Sequence, residues 1–145
     1  MKKIGVSACL LGENVRYDGT NKINNELIDI LSGNEIVSIC PELLGGFLIP
    51  HLPCEIRNNK VYDANNNDVT NILLSGAKIA LEKIKHCDFV ILKTKSPSCG
   101  YKMIYDGTFS NKLIEGNGVF TKLCLQNNIK IFTEKDIEGI KNAIN

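Results

Sequence analysis

The sequence has almost no net charge, no Cys-x-x-Cys pair, no long apolar run and only two histidines. Its 17 lysines and arginines face 16 aspartates and glutamates, a formal charge of +1. That balance gives no electrostatic footprint for wrapping long nucleic acid, although it leaves a local basic patch open. No apolar stretch reaches the length of a membrane span. The amino-terminal "MKKIGVSACLLG" runs straight into polar sequence. It reads as a first strand and not as a signal peptide, which points to a cytoplasmic protein. Without a Cys-x-x-Cys pair, a zinc ribbon or a thioredoxin-type redox site is disfavoured. Linkers and low-complexity tracts are absent too, so the expectation is one domain over residues 1–145, long enough to bury a single core.

What is present in excess is cysteine, six in 145 residues. In a reducing cytosol such residues are core fillers or ligands. Their places follow from the secondary-structure pattern. Residues 3–8 and 35–39 read as strands, and the segment "NKINNELIDILSG" between them as a helix with Ile23, Leu27, Ile30 and Leu31 on one face and Gly33 as its stop. Three of the four prolines lie between 41 and 53, which makes "CPELLGGFLIPHLPCEI" a stiff irregular loop. "RNNKVYDANNNDVT" reads as a small hairpin with Asn-rich turns. Thr70 is placed to cap a helix to about Lys85 that buries Leu73, Ala77, Leu81 and Ile84. A strand at 88–93, a long loop at 94–118, a helix near 119–127, a strand at 129–132 and a helix from Thr133 complete the chain. Glu134 and Asp136 would be first-turn acids of that last helix. Strands alternating with helices predict a single compact α/β domain: a mostly parallel open sheet, helices on both faces, Rossmann-like.

In such a sheet, ligands bind beyond the carboxyl ends of the strands. Three cysteines map there: Cys9 after the first strand, Cys40 after the second and Cys99 in the loop after the third. Neighbouring strand ends bring them together although 31 and 59 residues separate them along the chain. Three thiolates suit an iron–sulfur cluster or a zinc ion with one coordination position open to substrate. The alternative is three small residues packed in tight turns. Cys87 and Cys124 read as core, and Cys54 as either a spare ligand or a filler. Glu42, two residues after Cys40, is a candidate for moving a proton. Ser96 and Ser98, on either side of Pro97, either cap backbone amides or bind a substrate heteroatom. His86 ends a helix, and His51 is left as a possible contact for an anion. Asp-Gly-Thr occurs twice, in "RYDGTN" (16–21) and "IYDGTF" (104–109). The plain reading is two Asp-Gly turns. The functional reading is two loops facing one pocket, with Arg16 and Asp18 touching substrate.

"VSACLLGENVRYDG", "CPELLGGFLIP", "SPSCG", "IYDGTFSNKLIEGNGV" and "IKIFTEKDI" together resemble the thiouracil desulfidase family, in order and over nearly the whole chain. The resemblance implies a compact α/β fold, an oxygen-sensitive [4Fe-4S] cluster held by Cys9, Cys40 and Cys99, and non-redox removal of sulfur from a thiolated uracil. It implies Glu42 as the acid–base residue and a serine of "SPSC", Ser96 before Ser98, as a substrate-side partner. The partner would be a small thiolated base or nucleotide, not nucleic acid. Where the family commonly shows Arg-Pro-Pro this chain has His51-Leu52-Pro53, and Cys54 follows where a small residue is usual. Neutral His51 weakens the case for a nucleotide phosphate, and Cys54 raises the question of a fourth thiolate. Rival readings are a non-catalytic metal or redox-sensing module and a metal-free thiol enzyme with Cys99 as nucleophile.

Overall fold

The computed structural model describes all 145 residues. In chain order the elements are β1 (Lys3–Ser7), α1 (Asn25–Leu31), β2 (Glu35–Ile39), α2 (Pro41–Leu44), β3 (Cys54–Arg57), β4 (Lys60–Asp63) and α3 (Thr70–Ile84). They continue with β5 (Phe89–Leu92), β6 (Met103–Tyr105), β7 (Leu113–Glu115), α4 (Val119–Gln126), β8 (Ile131–Thr133) and α5 (Ile137–Ile144). β2, β1, β5 and β8 form, in that order, one parallel sheet. The chain leaves β1 towards β2 and then crosses back to β5, so the direction of winding reverses at β1. That is the switch point at which open α/β sheets make their crevice.

Side-chain alternation explains the layers. Along β5, Phe89 and Ile91 join Ile4, Val6, Leu27 and Ile140 on the face covered by α1 and α5. Val90 and Leu92 join Ala77, Ala80, Ile84 and Phe120 on the face covered by α3 and α4. All of β5 is buried, as a central parallel strand requires. A smaller cluster of Ile56, Val61, Leu73 and Ile104 carries two hairpins, β3–β4 and β6–β7. No helix is long and apolar enough to cross a membrane.

Several local expectations shift. α1 starts at Asn25, because the Asn24 side chain accepts from the Leu27 N–H at 3.0 Å, and this leaves Ile23 outside the helix and 51% exposed. Thr70 does not cap α3; its hydroxyl accepts the Val61 N–H at 2.8 Å and donates to Asp68, tying the helix start to β4. The β3–β4 turn uses Asn58 and Asn59, both at positive φ, which matches the twist of the strands it joins. The loop at 94–118 contains the unexpected hairpin β6–β7, whose three-residue strands give little pattern to read. The last helix begins at Ile137 with Asp136 as its cap, and Glu134 is a buried residue beyond β8 in place of a first-turn acid.

One close packing aims the loop after β2. α2 lies against α3 with backbone on backbone, since a Cβ on Gly76 would stand 1.8 Å from the Pro41 carbonyl and one on Gly45 2.1 Å from the Ile72 carbonyl. The two missing side chains let the turn holding Cys40 and Glu42 seat at one depth. Gly76→Ala is therefore expected to cost about 1–3 kcal/mol by overpacking. Urea unfolding measures it, and a variant as stable as the wild type would show that α2 is free to shift.

Candidate functional site

Beyond the carboxyl edge of the sheet opens a cavity of about 620 Å³, and Cys9, Cys40 and Cys99 all line it. Cys9 sits in a single turn of 3-10 helix, Ala8–Leu11, that follows β1; it is 8% exposed, and its carbonyl accepts the Lys22 N–H at 2.9 Å. Cys40 is the residue between β2 and α2. Cys99, 4% exposed, lies in a turn closed by Gly100 N–H to the Ser96 carbonyl at 2.8 Å. Three strand ends thus deliver three thiols to one space.

Burial dominates the electrostatics of these thiols. It raises the pKa of all three, Cys40 to about 11, because the thiolate loses its water. Each of the three lies within the electrostatic reach of at least one of the others: Cys9 raises Cys40, and both raise Cys99. Local donors work in the opposite direction. Backbone N–H groups of Leu43 and Glu42 favour the Cys40 thiolate, and the hydroxyls of Ser7 and Ser98 favour that of Cys99. Ser98 Oγ is 3.7 Å from Cys99 Sγ. The Lys93 ammonium and the Arg16 guanidinium favour the Cys9 thiolate. Cys54 also lines the cavity and is pushed up to about 12 by burial first, then by Glu42 and Asp63, with no contribution from the other cysteines. Its thiol is turned to the Leu52 carbonyl at 3.5 Å.

Glu42, in the single turn of α2, lines the cavity with its side chain 16% exposed. Burial raises its pKa, opposed by His51, Arg16 and the neighbouring Ser98 hydroxyl. His51 is stacked on Phe47 at 4.2 Å, and its Nδ1 lies 2.7 Å from the Leu52 carbonyl, so Nδ1 carries the proton. Its Nε2 is buried without a hydrogen-bond partner, 3.8 Å from Glu42 Oε2. What His51 faces is thus the carboxyl group of Glu42. The two serines divide their work. Ser96 Oγ accepts the N–H groups of Ser98 and Cys99, both at 3.1 Å, and so holds the turn. Ser98, 2% exposed, is the serine beside Glu42 and Cys99, and the two hydroxyls are 3.0 Å apart.

Both Asp-Gly-Thr loops reach the cavity, yet neither aspartate does. Arg16 and Tyr17 line one wall, and Tyr105, Phe109 and Asn111 another. Asp18 departs from its expected role: it is exposed, absent from the cavity wall, and accepts the Thr20 N–H at 3.1 Å and the Thr20 hydroxyl at 2.5 Å. Asp106 treats Thr108 in the same way. Sequence reasoning missed Lys93, Glu55 and Phe109. Glu55, on β3, accepts the backbone N–H groups of Gly107 at 3.0 Å and Phe109 at 3.1 Å. That clamp holds Phe109 at φ +57, a conformation rare for a bulky residue, and it closes the cavity on that side. The signal available was the repeat itself, which marked the loop though not the residue of it that faces inward.

The family model for 2-thiouracil desulfurase matches residues 4–136. The uncharacterized protein YbbK of Bacillus subtilis is 37% identical over 147 aligned positions, covering 93% of this chain and 97% of that protein. A solved structure of the [4Fe-4S]-dependent thiouracil desulfidase TudS superposes with a TM-score of 0.92 at 36% identity, covering 99% of this chain and 98% of the other.

Glu55→Ala removes two hydrogen bonds to a charged acceptor, each worth about 1.5–3 kcal/mol. Hydrogen exchange at Gly107 and Phe109 should accelerate at least ~10-fold while β5 stays protected. Unchanged exchange at the two amides would mean that something other than the carboxylate holds the loop.

Proposed function

The chain belongs to the 2-thiouracil desulfurase family, and from that premise we propose that it removes sulfur from a thiolated uracil compound with a [4Fe-4S] cluster held by Cys9, Cys40 and Cys99. The observation that carries this reading is the convergence of three thiols from three strand ends beside one sheltered carboxyl group.

The donor set fits the group. Thiolates are the ligands of iron–sulfur clusters. In this reading Cys54, whose thiol is turned to the Leu52 carbonyl at 3.5 Å, stays outside the ligand set and three protein ligands remain. When bound, such a cluster supplies a soft Lewis acid that prefers the thiocarbonyl sulfur to oxygen.

The chain's own residues account for the proton traffic. Burial lifts Glu42 towards the pH at which it can both take and return a proton. In its carboxylate form Glu42 accepts a proton from the water that adds to the thiocarbonyl carbon. In its acid form it returns that proton to the departing sulfur. The proton left on the added hydroxyl departs to solvent as the carbonyl forms, so the sum is water plus thiocarbonyl giving carbonyl, hydrosulfide and one proton, with no electrons exchanged. Ser98 stands beside the carboxyl group to orient it, while Ser96 keeps the Cys99 turn in register and offers its hydroxyl to the substrate. Tyr17, Tyr105 and Phe109 give flat faces for a pyrimidine ring. Arg16 adds a cation, and the volume admits a nucleoside monophosphate as well as a free base.

Protein purified without oxygen should be brown and carry about four iron per chain. A colourless protein with one metal or none would remove the cluster from the reading. Glu42→Gln should keep its iron and lose sulfide release from 4-thiouracil by at least ~100-fold; full turnover would remove Glu42 from the chemistry. Cys54→Ser should keep its iron content, and loss of iron would make Cys54 a ligand.

The raised pKa of Glu42 has a sign. A carboxyl group whose folded pKa lies above its unfolded value binds its proton more tightly in the native state. Its contribution is therefore full at acid pH and falls as pH rises through the folded pKa. Cluster-free Glu42→Gln should thus melt higher than the wild type at pH 8, with the difference shrinking towards pH 4. A constant difference in thermal scans would show that burial does not govern this group.

A further inference from the structure

Lys93 and Glu134 belong to no element of the proposed reaction, yet they form an ion pair at the wall of the same cavity, which Lys93 lines. Leu92 of β5 stands opposite Thr133 of β8, so the next residue of each strand meets its partner just past the sheet. Lys93 Nζ lies 3.3 Å from Glu134 Oε2, with side chains only 21% and 7% exposed. The pair is fully tied down. Glu134 accepts the Thr94 N–H at 3.0 Å and the Thr94 hydroxyl at 3.1 Å. Lys93 Nζ donates to the Thr94 carbonyl at 3.1 Å and to Thr94 Oγ1 at 3.2 Å, and the Lys93 backbone N–H donates to Ser7 Oγ at 3.0 Å. Ser7 in turn stands two residues before Cys9, and its hydroxyl lies beside Cys99.

Burying a lysine and a glutamate at this place costs desolvation that a pair of apolar residues would avoid. A purely structural role does not explain why the lysine of the pair lines the cavity that holds the three thiols. Lys93 lines the cavity together with Cys9, Cys40 and Cys99, whereas Glu134 stands behind it outside the lining. Three thiolates and a cluster core leave net negative charge in a poorly hydrated space, and a fixed cation beside it offsets that charge.

We propose that Lys93, held in place by Glu134 and Thr94, is a positioning residue for the cluster, an electrostatic counterweight that sets how much negative charge the three-thiolate site carries. This rests on the cluster reading above. Net charge and hydrogen bonding near a cluster set its reduction potential. Removing the cation disfavours the more negative, reduced form and lowers the potential. Removing its counter-charge does the opposite.

The test is the midpoint potential of the cluster in the intact protein, titrated anaerobically with dithionite and followed by electron paramagnetic resonance, together with iron retention against a chelator. Lys93→Met alone leaves Glu134 buried and unpaired, so the informative variant is the double change Lys93→Met with Glu134→Gln, which leaves no bare charge. Because Lys93 lines the cavity and Glu134 does not, the double variant should show a lower potential than the wild type and lose iron faster. Glu134→Gln alone should show a higher potential, and Lys93→Arg should stay close to the wild type. General damage to the fold would move all variants the same way. Opposite shifts for the double variant and Glu134→Gln support the proposal; an unmoved double variant, or a common direction, overturns it while leaving the cluster in place. Wild-type protein that takes up no cluster overturns the functional reading and this proposal together.

Discussion

Parallel strands end on the same edge of their sheet, and everything chemical in this protein is built on that constraint. β1, β2 and β5 run side by side in one direction, so the residues that follow them are forced into neighbouring positions however far apart they lie in the chain. Cys9, Cys40 and Cys99 meet for that reason. Lys93 and Glu134 meet for the same reason one residue beyond β5 and β8. A hairpin sheet would send alternate strand ends to opposite edges and scatter the same residues.

The edge is useful because it is dry. Alternating side chains along β5 pack apolar layers on both faces of the sheet, which leaves its rim shielded from below. Thiols placed there hold their protons more tightly than in water. Under the proposed cluster reading the three thiols would release those protons on loading, so loading and proton release would be one event. The donors around it, two hydroxyls, two backbone amides and two cations, lower the cost of that change. The raised carboxyl group of Glu42 follows from the same dryness. Burial in one pocket therefore raises the three thiols and the carboxyl group together.

The remaining walls come from loops and not from the sheet. Glu55 reaches from one hairpin to fix the loop after β6, and the first Asp-Gly-Thr loop stands across from it. Here the plain reading holds at the aspartates, and both loops reach the one cavity at neighbouring residues. The aspartates cap their own threonines as ordinary turn residues do, while neighbouring side chains face the cavity. The turn chemistry is the means by which the loop presents its outer residues.

The alternation of apolar runs with amphipathic stretches was enough to expect the parallel α/β sheet, because period and strand–helix order are local properties. β2 was legible to the residue and β5 to within one, and so was the position of the three cysteines beyond strand ends. The family motifs added the cofactor and the reaction, which no periodicity contains. Distances between side chains were not legible. That Asp18 turns outward depends on which acceptor its own loop offers, and that Ser98 and not Ser96 stands beside Glu42 depends on the curl of one turn. That Glu134 is a buried partner and not a helix acid depends on what lies opposite it. Sequence by itself determined which residues lie at which strand ends. Only the tertiary structure decided which of them face each other, because pairing across a sheet is set by register and packing between segments many residues apart.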